Sequence, residues 1–301
     1  MSVQLSLHIA LAVVAVLIVV ALVRALPEHR AGWPKPIEAA IGFITDFFDT
    51  LGIGSFAPTT SMFKLWKLVP DEQIPGTLNV GHTIPTIVEA AIFITIVTVA
   101  PVTLVGLILA AVAGAWLGAG VVSQLPRRYV QIGMGVALVV AAILFVLSNL
   151  EGSHFGLAGG TALGLSGVRL LVGIVVCFIL GAFMTIGIGL YAPCMILISL
   201  LGMNPIAAFP IMMGACAFLM PFASLRFIRY KAFSMRAALG LILGGVPGVL
   251  IAAYIVKSLP LVAVRWLVVI VVFYAAFVML RSALAKRDRP IGQDDDLVDV
   301  V

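Results

Sequence analysis

Long apolar runs follow one another along the whole chain, at 5–26, 37–66, 80–100, 102–122, 130–150, 168–201, 206–222, 235–257 and 261–282. Most are long enough to cross a bilayer, and polar residues fall mainly in the connections, a pattern that predicts an all-α polytopic membrane protein. Two runs, 37–66 and 168–201, are interrupted by Gly-x-Gly. The first run has no basic residue before it, while Arg24, Arg30 and Lys35 stand at its end and beyond. It reads as a retained anchor helix with its N-terminus outside, not as a signal peptide.

The two interrupted runs repeat each other. Phe48-Asp-Thr-Leu-Gly-Ile-Gly-Ser-Phe-Ala-Pro-Thr59 and Phe183-Met-Thr-Ile-Gly-Ile-Gly-Leu-Tyr-Ala-Pro-Cys194 align without a gap at Phe, Thr, both Gly, Ile, Ala and Pro, 135 residues apart. The same offset pairs Pro70 with Pro205 and Pro75 with Pro210. A matched pair of broken apolar helices is the pattern of a transporter whose substrate site lies between two repeats. The expected organisation is an anchor helix and basic loop (1–36), two repeats of one interrupted helix plus three helices (37–150 and 151–284), and a disordered cytoplasmic tail (285–301).

Composition agrees with the pattern: 62% of the residues are hydrophobic and 10% charged, which excludes a soluble domain. The net charge of +5 does not point to nucleic acid, because the basic residues sit in connections. Cys177, Cys194 and Cys216 lie in apolar segments and carry no disulfide pattern.

Loop charge tests the topology. If both interrupted segments cross the bilayer, Arg24, Arg30, Lys35, Arg169, Arg226, Arg229, Lys231, Arg236, Arg281, Lys286, Arg287 and Arg289 lie inside and the other six of the 18 basic residues outside. If both dip in and return, Lys64, Lys67, Arg127 and Arg128 join the inside set and only Arg169, Lys257 and Arg265 face outward. The positive-inside rule prefers the second arrangement, in which the second repeat is inverted relative to the first. Residues 168–186 alone could still span a bilayer, which keeps the first arrangement open.

A break in the hydrocarbon region must have its backbone groups satisfied by protein, water or ligand, so it is expected to face a cavity. The helix that restarts beyond it points N–H groups and a positive dipole end into that cavity, a site suited to an anion. Candidate substrate-binding residues are therefore Thr50, Gly52, Gly54, Ser55, Thr59 and Thr60 in the first repeat and Thr185, Gly187, Gly189, Tyr191 and Cys194 in the second, with His82 and Thr83 nearby in sequence. Against this stands the ordinary use of such residues for close helix packing and local hydroxyl bonds. Asp46, Asp49 and Glu89 are intramembrane acids and candidates for proton coupling, since a poorly hydrated carboxyl group can take up and release a proton. The alternative for the two aspartates is an interfacial position near the cytoplasmic surface. His82 and Glu89 are seven residues apart and share a helical face if the helix continues through Pro85. Lys64, Lys67 and Arg226 read as snorkelling or loop charges.

Gly187-Ile-Gly189, Pro193, Leu201-Gly-Met-Asn-Pro-Ile-Ala-Ala208, Gly214-Ala-Cys216, the basic connection Arg226–Arg236, two Gly-rich helices and a basic end follow in an order that resembles the TauE/SafE family of sulfite and organosulfonate exporters, over roughly 38–283. The resemblance implies a permease moving a small sulfur oxyanion or sulfonate out of the cytoplasm along a path lined by the paired loops. Departures are Ser55-Phe56 and Leu190-Tyr191 where the family has more glycine, Gly81-His82-Thr83 and Gly214-Ala-Cys216 where it often has Gly-Thr-Ser, and Val99-Ala-Pro101 where it has a basic connection. The aromatics suggest a larger substrate, such as an organic sulfonate or carboxylate. The expected partners are a small anion, the lipid bilayer and a second copy of the chain, without nucleic acid, metal or cofactor. The expected place is the cell (inner) membrane, with the C-terminus in the cytoplasm. A passive anion channel and an intramembrane enzyme are the alternatives; no zinc, phosphate-loop or nucleophile motif supports the enzyme.

Overall fold

The computed structural model describes residues 2–29, 32–122, 127–150, 160–184 and 189–285. The expected tail from 286 onward lies outside them, as do Thr185 and Gly187 of the second motif. The described residues are helical, in the order α1 (Val3–His29), α2 (Pro36–Thr50), α3 (Phe56–Leu65), α4 (Ile74–Ile96), α5 (Pro101–Val122), α6 (Arg127–Leu150), α7 (Gly167–Met184), α8 (Tyr191–Leu200), α9 (Ala208–Arg229), α10 (Met235–Ser258) and α11 (Leu261–Ala285). Helices α1, α4, α7, α9, α10 and α11 are long and apolar enough to cross a membrane. Their outer faces carry Val16, Leu171, Ile270 and Phe277, exposed apolar side chains suited to lipid.

The element order repeats. In each half an interrupted helix is followed by a ten-residue helix, a 3-10 turn beginning near the paired prolines (Asp71–Gln73 and Pro205–Ala207) and three longer helices. The ends of the ten-residue helices also correspond. Lys67 (φ 49°) and Gly202 (φ 85°), again 135 residues apart, close α3 and α8 in the left-handed conformation. The following N–H groups reach back, Leu68 to the Phe63 carbonyl at 3.0 Å and Met203 to the Ile198 carbonyl at 3.1 Å.

The halves interlock instead of standing side by side. α2 lies along α10 and α5 along α7. At these seams the helices approach backbone to backbone: a Cβ at Gly244 or Gly248 would run into the Ala39 or Phe43 carbonyl, and one at Gly114 or Gly181 into the Phe178 or Ala111 carbonyl. α4 and α9 cross at the centre, where the Phe93 and Phe209 rings stack at 5.1 Å.

α4, 23 residues and so roughly 35 Å long, spans from one end of the bundle to the other. At its first end the Ser234 N–H donates to Thr77 Oγ1 (2.9 Å), and Arg236 Nε donates to Glu38 Oε1 (3.0 Å). There Ile41 of α2, Phe63 at the end of α3, Ile74 and Leu78 of α4, and Ala237 and Leu241 of α10 share one apolar cluster. At its second end the Ala100 N–H donates to the Leu163 carbonyl (2.7 Å) and the Leu165 N–H to Thr103 Oγ1 (2.8 Å). The strand-like stretch just before α7 pairs there with the residues after α8, Gly160 N–H to the Met203 carbonyl at 3.0 Å.

Candidate functional site

The first break begins where α2 runs out of helix at Thr50. The Gly52 N–H bonds to the Asp49 carbonyl at 2.7 Å and the Ile53 N–H to the Phe48 carbonyl at 3.1 Å, a closing turn that needs the positive φ of Gly52 (96°). The turn brings Ser55, the residue before α3, back to the Asp49 side chain. The Ser55 backbone amide and hydroxyl lie close enough to that carboxyl group to act on it electrostatically. The amide end of α3, expected to be free for an anion, is thus met by an acid of the chain itself.

Asp46 and Asp49 are buried inside the bundle, at 0% and 4% exposure. Asp46 faces α4. Its Oδ1 lies 2.7 Å from His82 Nδ1, and the other ring nitrogen, Nε2, lies 3.1 Å from Thr59 Oγ1 of α3. Thr59 Oγ1 also donates to the Ser55 carbonyl at 2.8 Å. With the single hydroxyl proton used there, Nε2 must donate to Thr59, so Asp46 and His82 share one further proton and the pair is neutral overall. His82 therefore serves Asp46, and α4 continues through Pro85. Asp46 Oδ2 has no hydrogen-bond partner among the described residues and lies against Gly245 of α10, where any side chain would collide with it.

Glu89 is fully buried, and its partners come from both breaks. Thr50 Oγ1, at the end of α2, lies 2.7 Å from Oε1, and the Tyr191 hydroxyl, at the start of α8, lies 3.4 Å from Oε2. The two breaks also touch through Met195 of α8, whose sulfur packs on Gly52. Thr83 turns away to α9, its Oγ1 2.8 Å from Ser224 Oγ. Thr60 bonds to the Phe56 carbonyl at 2.7 Å within its own helix. Cys194 is buried in α8.

The second glycines of the two motifs are alike in one respect. Beside Gly54 and Gly189 there is open space, where a Cβ would meet nothing within 4 Å. Hollows of about 450 Å³ beside Lys64, Lys67 and Asp71 and about 490 Å³ beside Phe277 and Leu284 lie elsewhere. Lys64 pairs with Asp71 at 3.6 Å, both exposed. No group of His, Cys, Asp and Glu suited to a metal occurs among the described residues.

Sequence reasoning missed Ser224, Gly245 and the Glu38–Arg236 contact. Only Ser224 left a signal, since it stands 135 residues after Glu89 and keeps that position polar in the second half.

A helical bundle with an apolar outer face and two helix breaks meeting at buried acids is a multi-pass membrane protein with a polar centre. Residues 169–296 match the family model for the sulfite exporter TauE/SafE. The match covers the half in which the motifs fit the family best, including the second break and the basic connection before α10. No curated protein and no solved structure matches the chain.

Proposed function

We propose that the chain is a secondary transporter that exports a small anion, sulfite or a sulfonate, between its two broken helices. The observation that carries this reading is the meeting of both breaks at Glu89, with the equivalent glycines Gly54 and Gly189 each beside open space. The family match supplies the substrate class. Thr50, Gly52, Gly54, Ser55, Thr59, His82, Thr83, Gly189, Tyr191 and Cys194 are the proposed lining among the described residues. Asp46, Asp49 and Glu89 are the proposed coupling groups. Asp46 is bonded to His82, and Glu89 to Thr50 and Tyr191, which is the character of a closed state that substrate must part.

The reading includes two inverted, re-entrant repeats in the cell membrane. Support comes from the ends of the bundle. α2 starts, and α3 finishes, among the residues where α4 begins, whereas α7 starts and α8 finishes where α4 ends. α2, 15 residues and about 22 Å long, is short for a bilayer core of about 30 Å. The end shared by α2, α3 and α10 carries Lys35, Lys64, Lys67, Arg229, Lys231 and Arg236, the excess expected of a cytoplasmic face.

Proteoliposomes containing the full-length protein and loaded with sulfite or an alkyl sulfonate test the reading. Flux above that of protein-free vesicles, increased by an imposed pH gradient and lowered in Asp49→Asn, is expected. Flux indifferent to the gradient would instead identify a channel, and no flux of either anion would reject transport.

A further inference from the structure

Among the described residues Glu89 is the one side chain hydrogen-bonded to both breaks, and its contacts contain more hydrogen bonds than an anionic form can supply. Thr50 Oγ1 lies 2.8 Å from the Asp46 carbonyl and 2.7 Å from Glu89 Oε1. A threonine hydroxyl has one proton to donate. If Glu89 is a carboxylate, Thr50 can serve one of these acceptors and not both. If Glu89 carries a proton on Oε1, it donates to Thr50, Thr50 donates to the Asp46 carbonyl, and Oε2 accepts from Tyr191. All three contacts are then hydrogen bonds.

The surroundings favour the same state. Asp46 and Asp49 face Glu89 from α2, Tyr191 from α8 and the Cys216 thiol from α9. His82, on its own helix, is committed to Asp46, and His8 of α1 lies a turn away against the Ala91 carbonyl and Thr95. α10 brings Gly245, which is not titratable, against Asp46. The carboxyl group makes no ion pair among the described residues, and an unpaired buried charge is costly.

We infer that Glu89 is the proton-binding latch of the transport cycle: its neutral, protonated form lets the end of α2 and the start of α8 close over it without water, and release of the proton on one side of the membrane leaves a buried carboxylate whose hydration parts the two breaks. This rests on the transport reading above, and it singles out one acid of the three. The step is a plain proton transfer. Water takes the proton from Oε1, Thr50 turns its hydroxyl to the new carboxylate, and the Asp46 carbonyl loses that bond.

Infrared difference spectra of the full-length protein in lipid at neutral pH, wild type minus Glu89→Gln, give a direct test. Glutamine can place an N–H donor toward Thr50 and its carbonyl toward Tyr191, with one further N–H, so the variant is expected to fold with close to the wild-type melting curve. A carboxylic-acid C=O band present in the wild type and missing from E89Q is the expected result, together with loss of the response of sulfite flux to a pH gradient in vesicles. No such band in the wild type, or an undiminished gradient response in E89Q, overturns the latch. A band without any sulfite flux in the wild type would instead remove the transport reading and the coupling role, leaving the proton where it is placed here.

Discussion

The Asp46–His82 pair is balanced only while both members are present. His82→Ala leaves a buried carboxylate facing Gly245 and Pro85, and is expected to cost about 3–5 kcal/mol, measured by thermal unfolding in detergent. Adding Asp46→Asn to that variant should restore part of the loss, because the stranded charge is gone. Gly245→Ala drives a methyl group into Asp46 Oδ2, and an overpacking cost of about 1–3 kcal/mol is expected in the same assay. The acids themselves were legible in the sequence, since Asp46, Asp49 and Glu89 are charged residues inside apolar runs. Their partners were not. Which side chain meets His82 depends on how α2, α3 and α4 cross, and spacing along α4 says nothing about a residue 36 positions away.

The duplicated motif predicts two breaks in equivalent places; α2 ends and α3 begins around the first, while α7 ends before and α8 begins after the second, whose residues 185–188 lie outside the described residues. The repeat extends to the closing residues of α3 and α8, which gives a test by exchange. Lys67 holds a positive φ that glycine adopts freely, so Lys67→Gly should be neutral or stabilising. Gly202→Lys should cost about 1–2 kcal/mol, read as a lower unfolding temperature. The interlocking of the halves was not legible. Helices in lipid gain little from apolar patterning alone, so the seams depend on where backbones can approach, and glycines such as Gly181 and Gly244 do not name the carbonyl they will meet.

Taken whole, the molecule places its acids in one half and its family signature in the other. Among the described residues the buried acids Glu38, Asp46, Asp49 and Glu89 and the buried His82 all precede residue 150, whereas the family match covers 169–296. The two contributions meet at the breaks, with Tyr191 of the second half reaching Glu89 of the first. The proposed inverted arrangement predicts that single cysteines at Lys67 and Arg236 react with an impermeant maleimide from the cytoplasmic side, and those at Arg169 and Lys257 from the outside. Labelling of Arg169 and Lys67 positions from the same side would exclude it. The central claim, that substrate passes between the breaks, is tested most directly at Gly189, where a Cβ would meet nothing within 4 Å. Sulfite flux through proteoliposomes of Gly189→Leu is expected to be blocked while the variant unfolds at the wild-type temperature. Flux equal to wild type would contradict the account.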